Sequence, residues 1–333
     1  MPTIFPTIYS TLDPGALARF IGQQYGIGGA TVKLLLRGVG DTYLATTPKN
    51  KFIIRVYRPS HRTEEQVREE VNFLLALKEN KVPAAYPIPD KNGNIIQSIV
   101  AAEGIKNVVL FTYAPGMVVP SLNEGQLLTL GRQIARMQNV SAAQPISTSR
   151  APYTLETTLF QPLELLRNAF ASNTDVYAWL QAAAREIATR LSEFDTSAFS
   201  TGICHFDLLP KNFHFDCDAP TFFDFDFMAQ GWLILDLMTF RQQLCLDILF
   251  GRLTPEAATK AFNIVISGYR EFRHISDDEL AAIPLLSLCF WLFYSGFHTT
   301  HDQFYMFLDP AQLKSRFNFV RHIVERDLKI PMV

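Results

Sequence analysis

Residues 204–227, CHFDLLPKNFHFDCDAPTFFDFDF, concentrate the side chains able to do chemistry. His205, Asp207 and Asn212 fall in one loop, and Asp224 and Asp226 follow in an Asp-Phe-Asp-Phe run, Asp224 coming 12 positions after Asn212. Residues 213–215 and 221–223 have the composition of two short strands, and pairing them folds Asp224 back beside Asn212. A carboxylate and a side-chain amide held together are hard oxygen donors that suit Mg2+, with a second carboxylate left free nearby. Phosphoryl transfer needs such a set: the metal neutralises a polyphosphate, and a separate aspartate takes the hydrogen of the acceptor hydroxyl. Asp226 reads equally as a supporting group or as the cap of the next turn. Asp216 and Asp218 sit in turn composition and read as structural.

Positioning this segment requires two lobes of different character. Residues 13–24 read as a helix, with Asp13 to cap it, Pro14 in its first turn and Gly26 to end it. Short β-like runs follow at 31–37, 42–47 and 51–57, the last two joined as a hairpin by Pro-Lys-Asn. Residues 61–80 carry Val67, Val71, Leu74, Leu75 and Leu77 on one face of an amphipathic helix. Two more β-like runs, 94–100 and 107–113, lead to Ala114-Pro115-Gly116. Beyond that point helical patterns dominate, at 123–141, 173–194, 233–250, 255–272, 277–298 and 310–328. The expected fold is α+β and bilobal: an N-lobe of antiparallel sheet with one long helix over 1–115, and a mainly helical C-lobe over 116–333.

Composition narrows the class of protein. The 333 residues carry a net charge of −2, with 48% hydrophobic and 19% charged residues, which is globular and argues against a nucleic-acid binder. Four scattered cysteines form no Cys-x-x-Cys pair, so a disulfide scaffold or zinc site is not expected and a reducing compartment, the cytoplasm, fits. The N-terminus has neither a basic start nor a long apolar run, so it does not read as a signal peptide. Residues 280–301 hold no formally charged side chain, but they include Pro284 and many polar groups, and a buried helix is the expected reading rather than a membrane span.

His-x-Asp-x-x-x-x-Asn followed by a hydrophobic-Asp-Phe pair resembles the signature of kinase-fold enzymes. The downstream order, Asp224, Gly231 and Asp236-Leu237, is similar to the aminoglycoside phosphotransferase superfamily, which includes homoserine, choline and fructosamine kinases. The layout resembles most the stress-response kinase A branch. FIIRVYRP (52–59), REEVNFLLAL (68–77) and VLFTYAPG (109–116) occur in the order that the resemblance requires.

That resemblance implies an ATP- and Mg2+-dependent kinase with a protein-kinase-like fold and a nucleotide-binding N-lobe. It makes Asp207 the catalytic base and Asn212 and Asp224 the Mg2+ ligands. Arg55 takes the place of the strand lysine that holds the α/β-phosphates, and Glu70 the place of the acid that orients it. Thr112 and Ala114 match the adenine hinge, Gly40-Asp41-Thr42 the turn over the phosphates, and His205 and Asp236 the braces of the catalytic loop. Phe206 departs from a usual glycine, Leu209 from a basic group near the γ-phosphate, and Arg55 from lysine. Lys211 is assigned to the catalytic set, serving either the phosphate or the substrate; a solvated lysine is the bland alternative.

The expected acceptor is the hydroxyl of a small molecule, an amino-alcohol or a hydroxy amino acid. Protein Ser/Thr, an aminoglycoside and a nucleotide-binding pseudokinase are the alternatives. Residues 299–333 hold four acidic against five basic residues, a poor match for a polycationic antibiotic. Only 11 positions separate Asp224 from Leu235, too few for the activation loop of eukaryotic-type protein kinases. The cluster Trp291, Tyr294, His298, His301 and Asp302 reads by default as core, or else as a pocket wall suited to an amine. No nucleic-acid or membrane partner is expected, and the oligomeric state is left open.

Overall fold

A computed structural model describes residues 6–143 and 149–328. Contacts divide the chain into two units. The first runs to Gly116 and also takes Thr221–Phe223; the second begins at Met117 and contains the rest of the catalytic segment.

In the first unit, helix α1 (Pro14–Tyr25) starts where the Asp13 carboxylate accepts from the Ala16 N–H, and it stops at Gly26 in the left-handed region. Strands β1 (Thr31–Arg37), β2 (Asp41–Thr46) and β3 (Lys51–Val56) follow. Helix α2 (Glu64–Glu79) opens on a capping box between Thr63 and Gln66. Strands β4 (Ile96–Ala101) and β5 (Gly104–Thr112) complete an antiparallel sheet of order β1-β2-β3-β5-β4. Tyr43, Ala45, Ile54, Val108 and Leu110 point from the sheet into a core closed by Leu17 and Ile21 of α1.

The second unit is mainly helical. Helix α3 (Glu124–Ala143) leads to the short α4 (Gln161–Leu165) and to α5 (Thr174–Leu191). Strand β6 (Thr201–Cys204), the β7–β8 hairpin (Phe213–Asp216 and Ala219–Phe222) and β9 (Ala229–Trp232) frame the catalytic segment, with β6 paired antiparallel to β9. Helices α6 (Ile234–Leu249), α7 (Pro255–Arg270), α8 (Asp277–Ala282), α9 (Ser287–Thr299) and α10 (Pro310–Leu328) follow.

Two glycines set the closest helix crossing. A Cβ added at Gly131 of α3 would lie 2.0 Å from the Val265 carbonyl oxygen, and one at Gly268 of α7 would lie 2.1 Å from that of Leu128. Only residues without side chains allow that approach.

One expected helix is broken. The pattern over 277–298 reads as continuous, but the chain forms α8, a 3-10 stretch at Ile283–Leu286 and then α9. Pro284 supplies the reason, because it has no N–H for the helical ladder and its ring crowds the preceding turn. Among the described residues, Asp277–Thr299 is the one helical stretch long and apolar enough to cross a membrane, and 61% of its most apolar window is buried within the structure.

Candidate active site

The 204–227 segment leaves β6 at Cys204 and turns through His205, Phe206 and Asp207, all buried. The Asp207 N–H donates to His205 Nδ1 at 3.3 Å, and the His205 ring lies 4.4 Å from that of Phe225. Asp236, in the first turn of α6, accepts from the Phe206 N–H at 2.9 Å and from Gln138 Nε2 at 3.1 Å. Complete burial pushes the Asp236 carboxyl above its ordinary pKa, against the opposing pull of His205 and these donors.

The two oxygens of Asp207 are treated differently. Oδ2 accepts from Asn212 Nδ2 at 2.7 Å and lies 2.8 Å from Lys211 Nζ. Oδ1 is inaccessible and has no hydrogen-bond partner among the described residues. Burial raises the Asp207 pKa, and Lys211 opposes that shift. Asn212 Nδ2 also donates to the Asp207 carbonyl at 2.7 Å, so the amide nitrogen is committed and Oδ1 of Asn212 is the end left to accept a ligand.

Asp224 follows the hairpin with φ 64°, and Phe206 has φ 61°. Both are left-handed positions that non-glycine residues seldom occupy, and such strain concentrates at functional sites. Arg150, buried, holds the turn after Asp224: its Nη1 donates to the carbonyls of Asp226 at 2.7 Å and Met228 at 3.0 Å. The Asp226 side chain is buried within the 3-10 turn Phe225–Phe227. Nothing in the local spelling of the sequence marks Arg150, because its partners are 76 and 78 positions away.

Tyr153 stacks on Phe206 with centroids 3.9 Å apart, and Phe293 meets the same ring edge-on at 5.0 Å. Tyr294 lies beside Phe206 in a near-parallel orientation. Its hydroxyl is buried, makes no close hydrogen bond among the described residues and is turned toward Asp207; burial, then the charge of Asp207, drives its pKa far above the ordinary value. The cluster from 291 to 302 therefore divides: Trp291 Nε1 donates to Gln242 Oε1 at 3.1 Å as a core contact, whereas Tyr294 faces the Asp207 charge.

In the first unit, Arg55 on β3 donates through Nη1 to Thr42 Oγ1 at 3.2 Å. Glu70 of α2 is buried and accepts from the Tyr57 hydroxyl at 3.0 Å. Gly40 ends the β1–β2 turn in a tight place, where an added Cβ would lie 2.8 Å from the Val56 carbonyl oxygen. Asp41 opens β2 fully buried; its carboxylate oxygens make no close hydrogen bond among the described residues, and the Tyr9 hydroxyl is turned toward them. The Thr112 hydroxyl accepts from the Tyr86 N–H at 2.9 Å, and Ala114 is buried.

With an antiparallel sheet and one long helix in the first unit and a mainly helical second unit, the fold is α+β and protein-kinase-like. Residues 31–263 match the phosphotransferase enzyme family, APH, and the chain belongs to that family of kinases. A homoserine kinase of Rhizobium meliloti is 25% identical over 334 residues, 95% of each chain. Stress response kinase A of Salmonella choleraesuis is 28% identical over 189 residues, 57% of this chain and 56% of its own. A microcompartment-associated aminopropanol kinase shares the fold, with a TM-score of 0.74 at 20% identity over 95% of this chain and 98% of its own.

Proposed function

We propose that this kinase transfers the γ-phosphate of ATP to the hydroxyl of a small molecule, an amino-alcohol or a hydroxy amino acid. The observation that carries the reading is the divided Asp207 carboxylate: Oδ2 is anchored by Asn212 and Lys211, whereas Oδ1 makes no close hydrogen bond among the described residues, the Tyr294 hydroxyl being turned toward the carboxylate. An anchored carboxylate with one uncommitted oxygen suits a general base that receives the acceptor's hydroxyl hydrogen. His205 and Asp236 brace the loop, and Lys211 counters the penalty of keeping Asp207 charged. Arg55, held by Thr42, is the proposed phosphate contact in the first unit, with Glu70 proposed to orient it, Gly40, Asp41 and Thr42 at the phosphate turn and Thr112 and Ala114 at the adenine.

The donor set fits a divalent ion. Asn212 Oδ1 and the Asp224 carboxylate are hard oxygen donors, and the committed Asn212 nitrogen turns the amide oxygen outward for the purpose. Asn212 and Asp224 are the residues proposed to hold Mg2+, which when bound neutralises charge on the transferring phosphate. No group of three His, Cys, Asp or Glu side chains suited to a metal occurs among the described residues, so phosphate and water oxygens would complete the shell. The four free cysteines suit a reducing, ATP-supplied compartment such as the cytoplasm.

The test is a coupled ADP-release assay over hydroxy amino acids, amino-alcohols, sugars and aminoglycosides, run beside Asp207→Asn. The variant should bind ATP while turnover falls by about 10²–10⁴. Turnover within a few-fold of wild type assigns the base elsewhere. Similarity to stress response kinase A favours a second reading, a protein Ser/Thr acceptor. Labelled phosphate appearing on a protein substrate and on none of the small molecules would select it.

A further inference from the structure

We infer that Ser295 and His298 of α9 and Arg316 of α10 form an anion niche that receives a carboxylate of the acceptor, so that the substrate is a hydroxy acid or hydroxy amino acid. This rests on the reading of Asp207 as the base. The aromatic cluster alone suggests the opposite, a cage for an amine; the charges nearby decide against that.

Arg316 is partly buried, and among the described residues no carboxylate pairs with it. Nη1 is 3.3 Å from Ser295 Oγ, and the guanidinium lies over the Phe307 ring at 5.4 Å. Burial alone acts on its pKa, lowering it. A guanidinium taken from water without a counter-ion is costly, and a ligand carboxylate removes that cost. The acids on either side in sequence are engaged or exposed: Asp309 caps α10 through the Ala311 and Gln312 N–H groups, Glu325 pairs with Arg321, Asp327 pairs with Arg241, and Asp302 is exposed.

His298 shares the same Phe307 ring, stacked at 4.9 Å, and its Nδ1 is buried without a hydrogen-bond partner among the described residues. Burial, then Arg316 and His301, lowers its pKa to about 4, so the ring is neutral at pH 7 and offers one N–H to an anion. Arg316 and His298 together present donors and positive potential, and an ammonium brought here meets the Arg316 cation.

The niche lies within a short molecule's reach of the chemistry. Tyr294, whose hydroxyl faces the Asp207 charge, precedes His298 by four residues, and i,i+4 side chains are neighbours on a helix face. Four residues of helix rise about 6 Å, close to the span between the hydroxyl and the carboxylate of a four-carbon hydroxy acid. An acceptor lying along α9 therefore presents its hydroxyl toward Asp207 and its carboxylate to Arg316 and His298.

Two measurements test this. In the first, the His298 ring is followed by NMR while the whole protein is titrated with butanoate or with butylammonium. Butanoate should shift the resonance saturably and raise the His298 pKa; butylammonium should not, and Arg316→Gln should abolish the response. An equal response to both ions, or none to butanoate, overturns the niche. In the second, 4-hydroxybutanoate and homoserine are compared with butane-1,4-diol and 4-aminobutan-1-ol as acceptors. The carboxylate-bearing compounds should have the higher kcat/KM. Arg316→Gln should cut that preference by roughly 10- to 150-fold, the worth of a charged hydrogen bond, mainly through KM. Lys314→Gln, an exposed change on the same helix, should keep it. A preference for the amine, or one that Arg316→Gln leaves intact, sinks the inference. Butanoate binding with no turnover of any acceptor would uphold the niche and count against phosphotransfer through Asp207.

Discussion

Lys211 Nζ sits 2.8 Å from Asp207 Oδ2, four residues along the same loop, with the lysine side chain 61% exposed and the aspartate 5%. The ammonium thus neutralises the outer edge of a buried carboxylate while remaining in water itself. This pairing disfavours a merely solvated lysine and ties Lys211 to the ionisation of Asp207, the proposed base.

Lys211→Met should therefore move the acidic limb of the kcat/KM profile. Burial already raises the Asp207 pKa and Lys211 pulls it back, so removing the lysine lets it rise further. A base must be ionised to act, and activity should then be lost at a higher pH than in the wild type. A pair with an exposed partner is worth about 0.2–1 kcal/mol, so the limb should shift by less than about one pH unit. A limb that stays in place, or moves to lower pH, would detach Lys211 from this role.

The α3–α7 crossing gives a stability prediction independent of chemistry. Gly131→Ala places a methyl group inside the Val265 carbonyl, and backbone cannot rotate away as a side chain can. The helices must separate, at a cost of about 1–3 kcal/mol or more. Calorimetry should show a lower Tm for Gly131→Ala and for Gly268→Ala. Since alanine otherwise favours helices over glycine, a raised Tm would contradict the crossing.

Acid should release the N-terminal segment from the sheet. Glu103 accepts from the Ser10 N–H at 2.9 Å and the Ser10 hydroxyl at 2.6 Å, and it pairs with fully buried Lys106 at 2.8 Å. Burial alone would raise its pKa, but Lys106 and Ser10 prevail and hold it at about 2, against 4.5 for a free glutamate. The folded value is depressed, so this contribution is complete above pH 4.5 and is lost as pH falls through about 2. Wild type should exceed Glu103→Gln in denaturant midpoint at neutral pH, with the gap narrowing across that window. A gap constant with pH would show that the charge contributes nothing.

Local spelling carried some parts of the molecule and not others. The N-lobe strands were legible because β-rich runs alternate with turn residues, and α1 and α2 because their caps, Asp13 and Thr63, are spelled beside them. The contacts of the loop 205–212, the proposed catalytic loop, were legible because they close within five residues, Asp207 with Lys211 and Asn212. Arg150 was not, since it acts on carbonyls far along the chain. Nor was the break at Pro284, where an apolar period continues on both sides of the proline. Asp41 illustrates a subtler limit: its place at the start of β2 is readable, but the complete burial of its carboxylate is a product of tertiary packing. The charge balance around α9 likewise depends on Arg316 arriving from α10.

Phe206 offers the most discriminating prediction. It stands between His205 and Asp207 at φ 61°, where a side chain costs about 1–2 kcal/mol. The ring recovers that cost by stacking on Tyr153 at 3.9 Å and meeting Phe293 at 5.0 Å. Removing a buried phenyl loses about 3–5 kcal/mol. Phe206→Ala should pay this loss and keep the backbone strain, whereas Phe206→Gly should pay it but shed the strain. Both variants should be less stable than the wild type, and the glycine variant should be the more stable of the two by about 1 kcal/mol. At most positions the order is the reverse, because glycine gains more freedom on unfolding. Equilibrium denaturation of the pair reads the difference directly. Alanine ahead of glycine would mean that the loop relaxes out of the left-handed region once the ring is gone, so that packing of Phe206, rather than the demands of Asp207, sets the backbone beside the base.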